Sequence, residues 1–556
     1  MRKYKRSGSI LICAYIVLFI LGFRVLFHGF PDTERFFAEW RDERITLSAI
    51  MKLGVSNFAP TIIIHPPLYH YLTFIPIGMF FIFGKLAGFF YDKVDFVRFY
   101  FNNTHYFFFI GRMMSYIFFW LSALMVFKVT RLFYNRAVSH ITALSYLLIP
   151  RFIFDFSTTR PETILFLTTE IHFYFFLKYY LDNEKVKYLF LSGFFLGVST
   201  AAKYNAVYLA AIFIVVFFDH LITAVRNRDY RDFLALWIKA CLAVFIGFFI
   251  CHPFFIIQIG KYFHNLRVFT MEQRFYWNSY ANSSHLQELM SFIYINLFGL
   301  LVLFFGFWRL FKEHKKLFIP MFCAILFYEI YFELYLRGSA PLYFINPLIP
   351  IAALVFSAGV NFIIMQRRKL LPVLISFAVV VSYNYFDIWK GLSLGQTHIK
   401  KARAFIEKSV PEFSVICLAS NNYIPQLNMT RKSYYHLIST GPVVENIAGH
   451  ELTYKNIENE KSYDSASKEL RIESLIKSPQ YNLVRWDKNI KTENDAMDFF
   501  KENDIKYVIA NCPLSIENKR LEDTKTVSLL KVFEPRNKRI YKLVYNDVSV
   551  FIYKLN

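Results

Sequence analysis

The chain's densest chemistry is Phe30-Pro31-Asp32-Thr33-Glu34-Arg35-Phe36-Phe37-Ala38-Glu39-Trp40-Arg41-Asp42-Glu43-Arg44, five carboxylates and three arginines placed straight after a hydrophobic run. Two readings compete for it. In the structural one, Asp32 caps an amphipathic interfacial helix whose Glu and Arg side chains pair at three- and four-residue spacing. In the chemical one, Asp32 is a partly desolvated carboxylate at the lipid–water boundary. It serves as general base toward an acceptor hydroxyl, while Arg35, one turn on, grips a phosphate.

Further candidates recur downstream. Ile64-His65-Pro66-Pro67-Leu68-Tyr69-His70 reads as a helix start whose prolines suit the first turn, but that start accounts for neither His65 nor His70. Ser157-Thr158-Thr159-Arg160-Pro161-Glu162 reads the same way, with an acidic first turn. Lys203, His252 and Arg337 each stand at the end of an otherwise apolar run, where a charge or imidazole either snorkels or lines a pathway.

The elements that must position these residues are membrane spans. Of 556 residues, 55% are hydrophobic and 20% aromatic, with 66 Phe and 37 Tyr, a balance that excludes a water-soluble enzyme, a disulfide scaffold and a disordered chain. Apolar runs long enough to cross the bilayer fall at 9–28, 106–130, 138–157, 161–181, 187–203, 205–225, 233–256, 287–308, 317–336, 343–364 and 370–390, which makes eleven. A twelfth run, 66–90, is read as a juxtamembrane or re-entrant helix. Leaving it out puts the basic loops around Arg131 and Arg136, Lys185 and Lys187, Arg226 to Arg231, Arg309 to Lys316, and Arg367 to Lys369 on the cytoplasmic side.

The net charge of +22 follows the same logic. Residues 1–395 hold 38 basic against 21 acidic side chains, and residues 396–556 hold 25 against 20. The surplus thus sits between spans, and nucleic acid is excluded as a partner. The N-terminus is expected in the cytoplasm of a cell (inner or plasma) membrane, and the C-terminal part outside it.

The expected fold class is a polytopic α-helical membrane protein of about 11 spans plus outer juxtamembrane helices, with a small C-terminal α/β extracytoplasmic domain. The expected domains are 1–395, transmembrane and catalytic, with 29–105 as outer loop, and 396–556, soluble. In the latter, helices are expected at 402–408, 496–502 and 526–533 and strands at 413–419, 481–485 and 506–510. A hairpin is expected around Asn546-Asp547, and 421–480 is unassigned. Cys417 and Cys512 fall in this part, where sequence does not establish a disulfide, and no cysteine has the surroundings of a nucleophile.

Taken in order, the motifs resemble the GT-C membrane glycosyltransferases, the glycosyltransferase family 39-like group of protein O-mannosyltransferases and lipid A aminoarabinose transferase. Asp32-Thr33-Glu34-Arg35-Phe36 is similar to that family's Asp-Glu-x-Arg-Tyr loop, departing at Thr33 and Phe36. His65-Pro66-Pro67-Leu68 is similar to its His/Lys-Pro-Pro-Leu element. Gly111-Arg112-Met113-Met114-Ser115 resembles Ala-Arg-Leu-x-Ser, Arg160-Pro161-Glu162 resembles a Pro-Asp turn, and Lys203 a Thr-Lys turn. The resemblance covers residues 10 to 260.

The resemblance implies transfer of a sugar, with inversion, from a polyprenyl-phosphate carrier to a glycan, lipid or protein acceptor on the outer side of the membrane. It implies Asp32 as base and Glu162 as a second acidic group. Arg35, Lys203, His65 and Arg337 are the candidates for the donor phosphate, and Glu34 and His252 for the acceptor or a metal. No cofactor is required. A divalent metal is admissible, although Ile64 stands where the family has an acidic residue.

The chemistry agrees on its own terms. Phosphate leaves readily once its charge is compensated, and direct displacement needs one base and no second carboxylate about 5 Å away. A transporter or flippase would show paired halves and mid-depth charges, of which Glu170 and His172 are the clear examples. A non-catalytic scaffold would be indifferent to Asp32.

Overall fold

The computed structural model describes residues 2–27, 41–54, 56–60, 66–182, 185–263, 297–330, 346–366, 368–394, 397–418, 427, 430, 479–485, 493–510, 541–547 and 550–555. The chain divides into two compact units, Met1–Phe27 with Thr46–Ile77 and Phe109–Gly391, and His28–Ile45 with Gly78–Phe108 and Leu392–Asn556.

The first unit is helical. It contains α1 (Arg2–Val25) and most of α2 (Arg41–Lys52). The boundary between units falls within α3 (Leu68–Leu86). Beyond α4 (Lys93–Asn102), which lies in the second unit, come α5 (Thr104–Arg131), α6 (Arg136–Leu147), α7 (Pro150–Phe156), α8 (Glu162–Leu181) and α9 (Val186–Ala202). A 3-10 turn (Tyr204–Leu209) leads into α10 (Ala210–Asn227) and α11 (Tyr230–Cys251). The rest is α12 (Leu297–Glu313), α13 (Lys315–Ile330), α14 (Ile349–Asn361) and α15 (Leu371–Leu394).

Among the described residues, five helical stretches are long and apolar enough to cross a membrane: Thr104–Arg131, Tyr204–Asn227, Tyr230–Cys251, Asn346–Met365 and Leu371–Lys390. The run expected as one span at 138–157 is instead two helices, α6 and α7, meeting at 65°. Pro150 explains the break, because a proline has no N–H to continue the helical ladder and restricts the residue before it. Counted as one span, this pair makes six. α8 falls outside that set, with Glu170, His172 and Lys178 in an otherwise apolar helix.

α9 and α11 pack side by side along small residues. Gly193 faces the Ala240 carbonyl and Gly197 faces Val244 and Phe248, so the helices run parallel with a constant register. A Cβ at Gly197 would enter the Val244 carbonyl, and one at Gly247 the Phe194 carbonyl. Only glycine permits that approach of backbones, the packing mode on which helices in lipid rely. Leu189 and Leu196 of α9 and Trp237 of α11 belong to the buried core of the unit.

The second unit contains a five-stranded sheet of order β2-β1-β3-β5-β4, numbered along the chain as β1 (Val415–Leu418), β2 (Asn482–Arg485), β3 (Tyr507–Ala510), β4 (Tyr541–Asp547) and β5 (Val550–Leu555). β1 runs parallel to β2 and β3, while β5 runs antiparallel to β3 and β4. Helices α16 (Thr397–Ser409) and α17 (Glu493–Glu502) accompany it. The strands expected at 413–419, 481–485 and 506–510 are β1, β2 and β3, and the expected hairpin is β4–β5. The helix expected at 526–533 lies outside the described residues. Cys417 is a free thiol buried in β1, and burial pushes its pKa up.

In the same unit, Phe80, Phe90, Phe96, Phe99 and Phe107 meet ring to ring, tying the end of α3 to α4 and the start of α5. Asp92 caps α4 through the Asp95 N–H at 2.9 Å.

Candidate active site

Lys203 is set by the way α9 ends. Its N–H donates to the Ser199 carbonyl at 3.0 Å, but its backbone is extended (φ −157°, ψ 130°), which stops the helix and turns the chain into the 3-10 segment. Glu162 is set by the way α8 begins, directly after Pro161, whose missing N–H costs nothing in a first turn. The two side chains meet. Lys203 Nζ donates to Glu162 Oε1 at 2.9 Å, and each side chain is only 6% exposed. A pair this deep is held by mutual compensation, since either charge alone would be costly at that depth.

Beneath the pair is a carboxylate that the sequence reading did not single out. Asp155, in α7, is fully buried, and among the described residues neither of its oxygens has a hydrogen-bond partner. Arg151 Nη2 approaches Oδ1 only to 4.0 Å, one helical turn back. The charges of Arg151, Glu162, Arg160 and Lys203 all act on it. Among the described residues, three cations thus act on this carboxylate, and cations of this kind are what a bound phosphate uses. The signal was present in the sequence: Asp155 is a charge near the end of an apolar run, the criterion that drew attention to Lys203.

The other motif segments converge here. Tyr69, just after Pro66-Pro67-Leu68, donates its hydroxyl to the Gly111 carbonyl at 2.9 Å and lies 2.8 Å from Ser115 Oγ. Ser115 Oγ in turn accepts from the Arg160 N–H at 3.5 Å. Gly111 lies against Thr159, and a Cβ there would collide with its side chain. The α7–α8 turn is closed by Thr158, whose hydroxyl donates to the Phe154 carbonyl at 2.7 Å. Arg112 is fully buried and donates from Nη1 to the Leu26 carbonyl at 3.0 Å, holding the end of α1.

His252 caps the C-terminus of α11, fully buried, with its N–H on the Phe249 carbonyl at 3.3 Å. Asp32, Glu34, Arg35, His65 and Arg337 lie outside the described residues. The structure therefore brings together Glu162, Lys203 and the motif residues Gly111, Ser115 and Arg160, and adds Asp155 and Arg151. Among the described residues, no group of three or more His, Cys, Asp or Glu side chains is placed to hold a metal ion.

Residues 106–257, which contain Gly111 to Ser115, Glu162, Lys203 and His252, match the family model of the dolichyl-phosphate-mannose-protein mannosyltransferases. The chain resembles the GT-C membrane glycosyltransferases. Solved structures similar to it include ArnT from Cupriavidus metallidurans in the apo state, at 12% identity over 99% of this chain and 98% of that one, with a TM-score of 0.46. ArnT bound to undecaprenyl phosphate is similar at 11% identity over 98% of each chain, with a TM-score of 0.46. The archaeal oligosaccharyltransferase AglB from Archaeoglobus fulgidus, in complex with an inhibitory peptide and a dolichol-phosphate, is similar at 10% identity over 91% of this chain and 70% of that one, with a TM-score of 0.40. No curated protein matches the chain by sequence.

Proposed function

We propose that the chain is a GT-C glycosyltransferase that moves a sugar from a polyprenyl-phosphate-linked donor to a glycan, lipid or protein acceptor outside the membrane. The observation that carries this reading is the buried Glu162–Lys203 pair with Arg151 and Arg160 close by, inside the segment that matches a mannosyltransferase family. Asp32 takes the proton from the acceptor hydroxyl. The acceptor oxygen then bonds to the anomeric carbon as the bond from that carbon to the phosphate oxygen breaks, and the lipid phosphate leaves. Single displacement inverts the anomeric centre.

Lys203, Arg35, His65 and Arg337 compensate the departing phosphate. Glu162, the second acidic group, holds the Lys203 ammonium at 2.9 Å, and a donor phosphate shares that cation with it. Glu34 is assigned to the acceptor side. Residues 1–395 form the catalytic membrane domain, with 29–105 as outer loop, and 396–556 an external domain. A transporter would draw on Glu170 and His172, of which His172 Nδ1 is engaged by the Ser192 carbonyl at 2.9 Å and hydroxyl at 3.0 Å.

Mass spectrometry of cell-envelope glycans and lipids, with and without the gene, is expected to show one class short by a single sugar. An unchanged envelope, together with no transfer by the purified protein from mannosyl-, glucosyl- or aminoarabinosyl-phosphoryl undecaprenol, would overturn the assignment. A reporter enzyme fused after the last residue is expected to be active outside the cytoplasm. A cytoplasmic signal would break the orientation with an odd number of spans.

A further inference from the structure

His252 is buried without being satisfied. Neither ring nitrogen makes a hydrogen bond, although the residue has no exposed surface. The hydroxyls of Tyr262 and Tyr204 and the amide oxygen of Gln258 are in the same condition. Around the imidazole stand Tyr262 at 4.7 Å between ring centroids, Phe248 at 5.2 Å and Phe255 at 5.4 Å. Tyr204 and Tyr262 act on each other electrostatically, and His252 ends α11 as Lys203 ends α9, the helix packed against it along the glycine contacts.

Unbonded buried donors and acceptors are destabilising and call for an explanation. His172, equally buried, has its Nδ1 engaged by Ser192 and only its Nε2 open, whereas at His252 both ring nitrogens are open among the described residues.

We propose that His252, Tyr262, Tyr204 and Gln258, walled by Phe248 and Phe255, form the subsite that takes the glycosyl group of the lipid-linked donor. A pyranose has C–H faces that suit aromatic rings and a rim of hydroxyls that both donate and accept, which is the complement of this nest. Position agrees with composition. In a glycosyl phosphate the sugar is bonded directly to the phosphate, so its subsite must adjoin the cation that holds the phosphate, and His252 and Lys203 end two helices packed against each other. The inference rests on the glycosyltransferase reading and specifies where that reaction's sugar is held.

The test uses the full-length protein in nanodiscs and two variants, His252→Phe and Tyr262→Phe. Phenylalanine fits among aromatic neighbours and removes the unbonded polar atoms, so melting temperatures should hold or rise. Binding is measured for bare undecaprenyl phosphate and for its mannosyl, glucosyl and aminoarabinosyl forms. The parent is expected to prefer one glycosylated lipid, and each variant to lose that preference by about tenfold while binding the bare lipid phosphate as before. Variants that keep the parent's preference overturn the subsite, leaving a nest that holds water or merely packs. So does a parent that binds bare lipid phosphate with no preference among the four. Variants that weaken the acceptor alone overturn the donor assignment. A parent that binds none of the lipids sinks the glycosyltransferase reading itself.

Discussion

Lys203→Met lowers the stability of the helical unit by about 3–5 kcal/mol, because it removes the ammonium that compensates the buried Glu162 carboxylate at 2.9 Å. Both side chains are nearly sealed from solvent, so screening does not soften the loss. Adding Glu162→Gln removes the stranded charge and recovers most of the stability, since replacing both members of a buried pair by neutral groups is often close to cost-free. Activity follows a different course. Neither the single nor the double variant retains the cation for the departing phosphate, so sugar transfer stays low in both. Thermal melting in detergent beside a donor-dependent assay separates the two effects. If the double variant melts like the parent and also transfers sugar normally, Lys203 is structural and has no role at the phosphate.

The second large effect belongs to Asp32. Asp32→Asn keeps the side chain's size and its capacity to cap a helix, as asparagine caps about as well as aspartate. It removes the capacity to take a proton. Turnover should fall by roughly a hundred- to ten-thousand-fold, the usual worth of a positioned base, with donor binding and melting temperature unchanged. Near-normal turnover with a defined lipid donor would show that Asp32 only caps the loop, the structural alternative that the sequence leaves open.

Legibility differed by feature, for physical reasons. Lys203 and Glu162 each stand out as a charge at a break in an apolar run, but their pairing belongs to the packing of α8 on α9 across 41 positions and has no local signature. Asp155 was visible by the same rule and hidden by its surroundings, since Phe152-Ile153-Phe154 before it and Phe156 after it read as uninterrupted span. The bend between α6 and α7 was signalled by Pro150, but an average over an apolar run does not respond to a single missing N–H. β1, β2 and β3 were readable because alternation is local, whereas their order in the sheet, with β1 between β2 and β3, depends on long-range pairing.

The glycine seam between α9 and α11 acts beyond its own contacts. Lys203 terminates one of these parallel helices and His252 the other, so the seam works like a jig that sets both end groups at the same height. Backbone resting on backbone leaves no rotamers to yield, and the separation of cation and imidazole is machined into the bundle about one to three turns below them. Precision at that end of the bundle is thus inherited from residues that have no side chains at all.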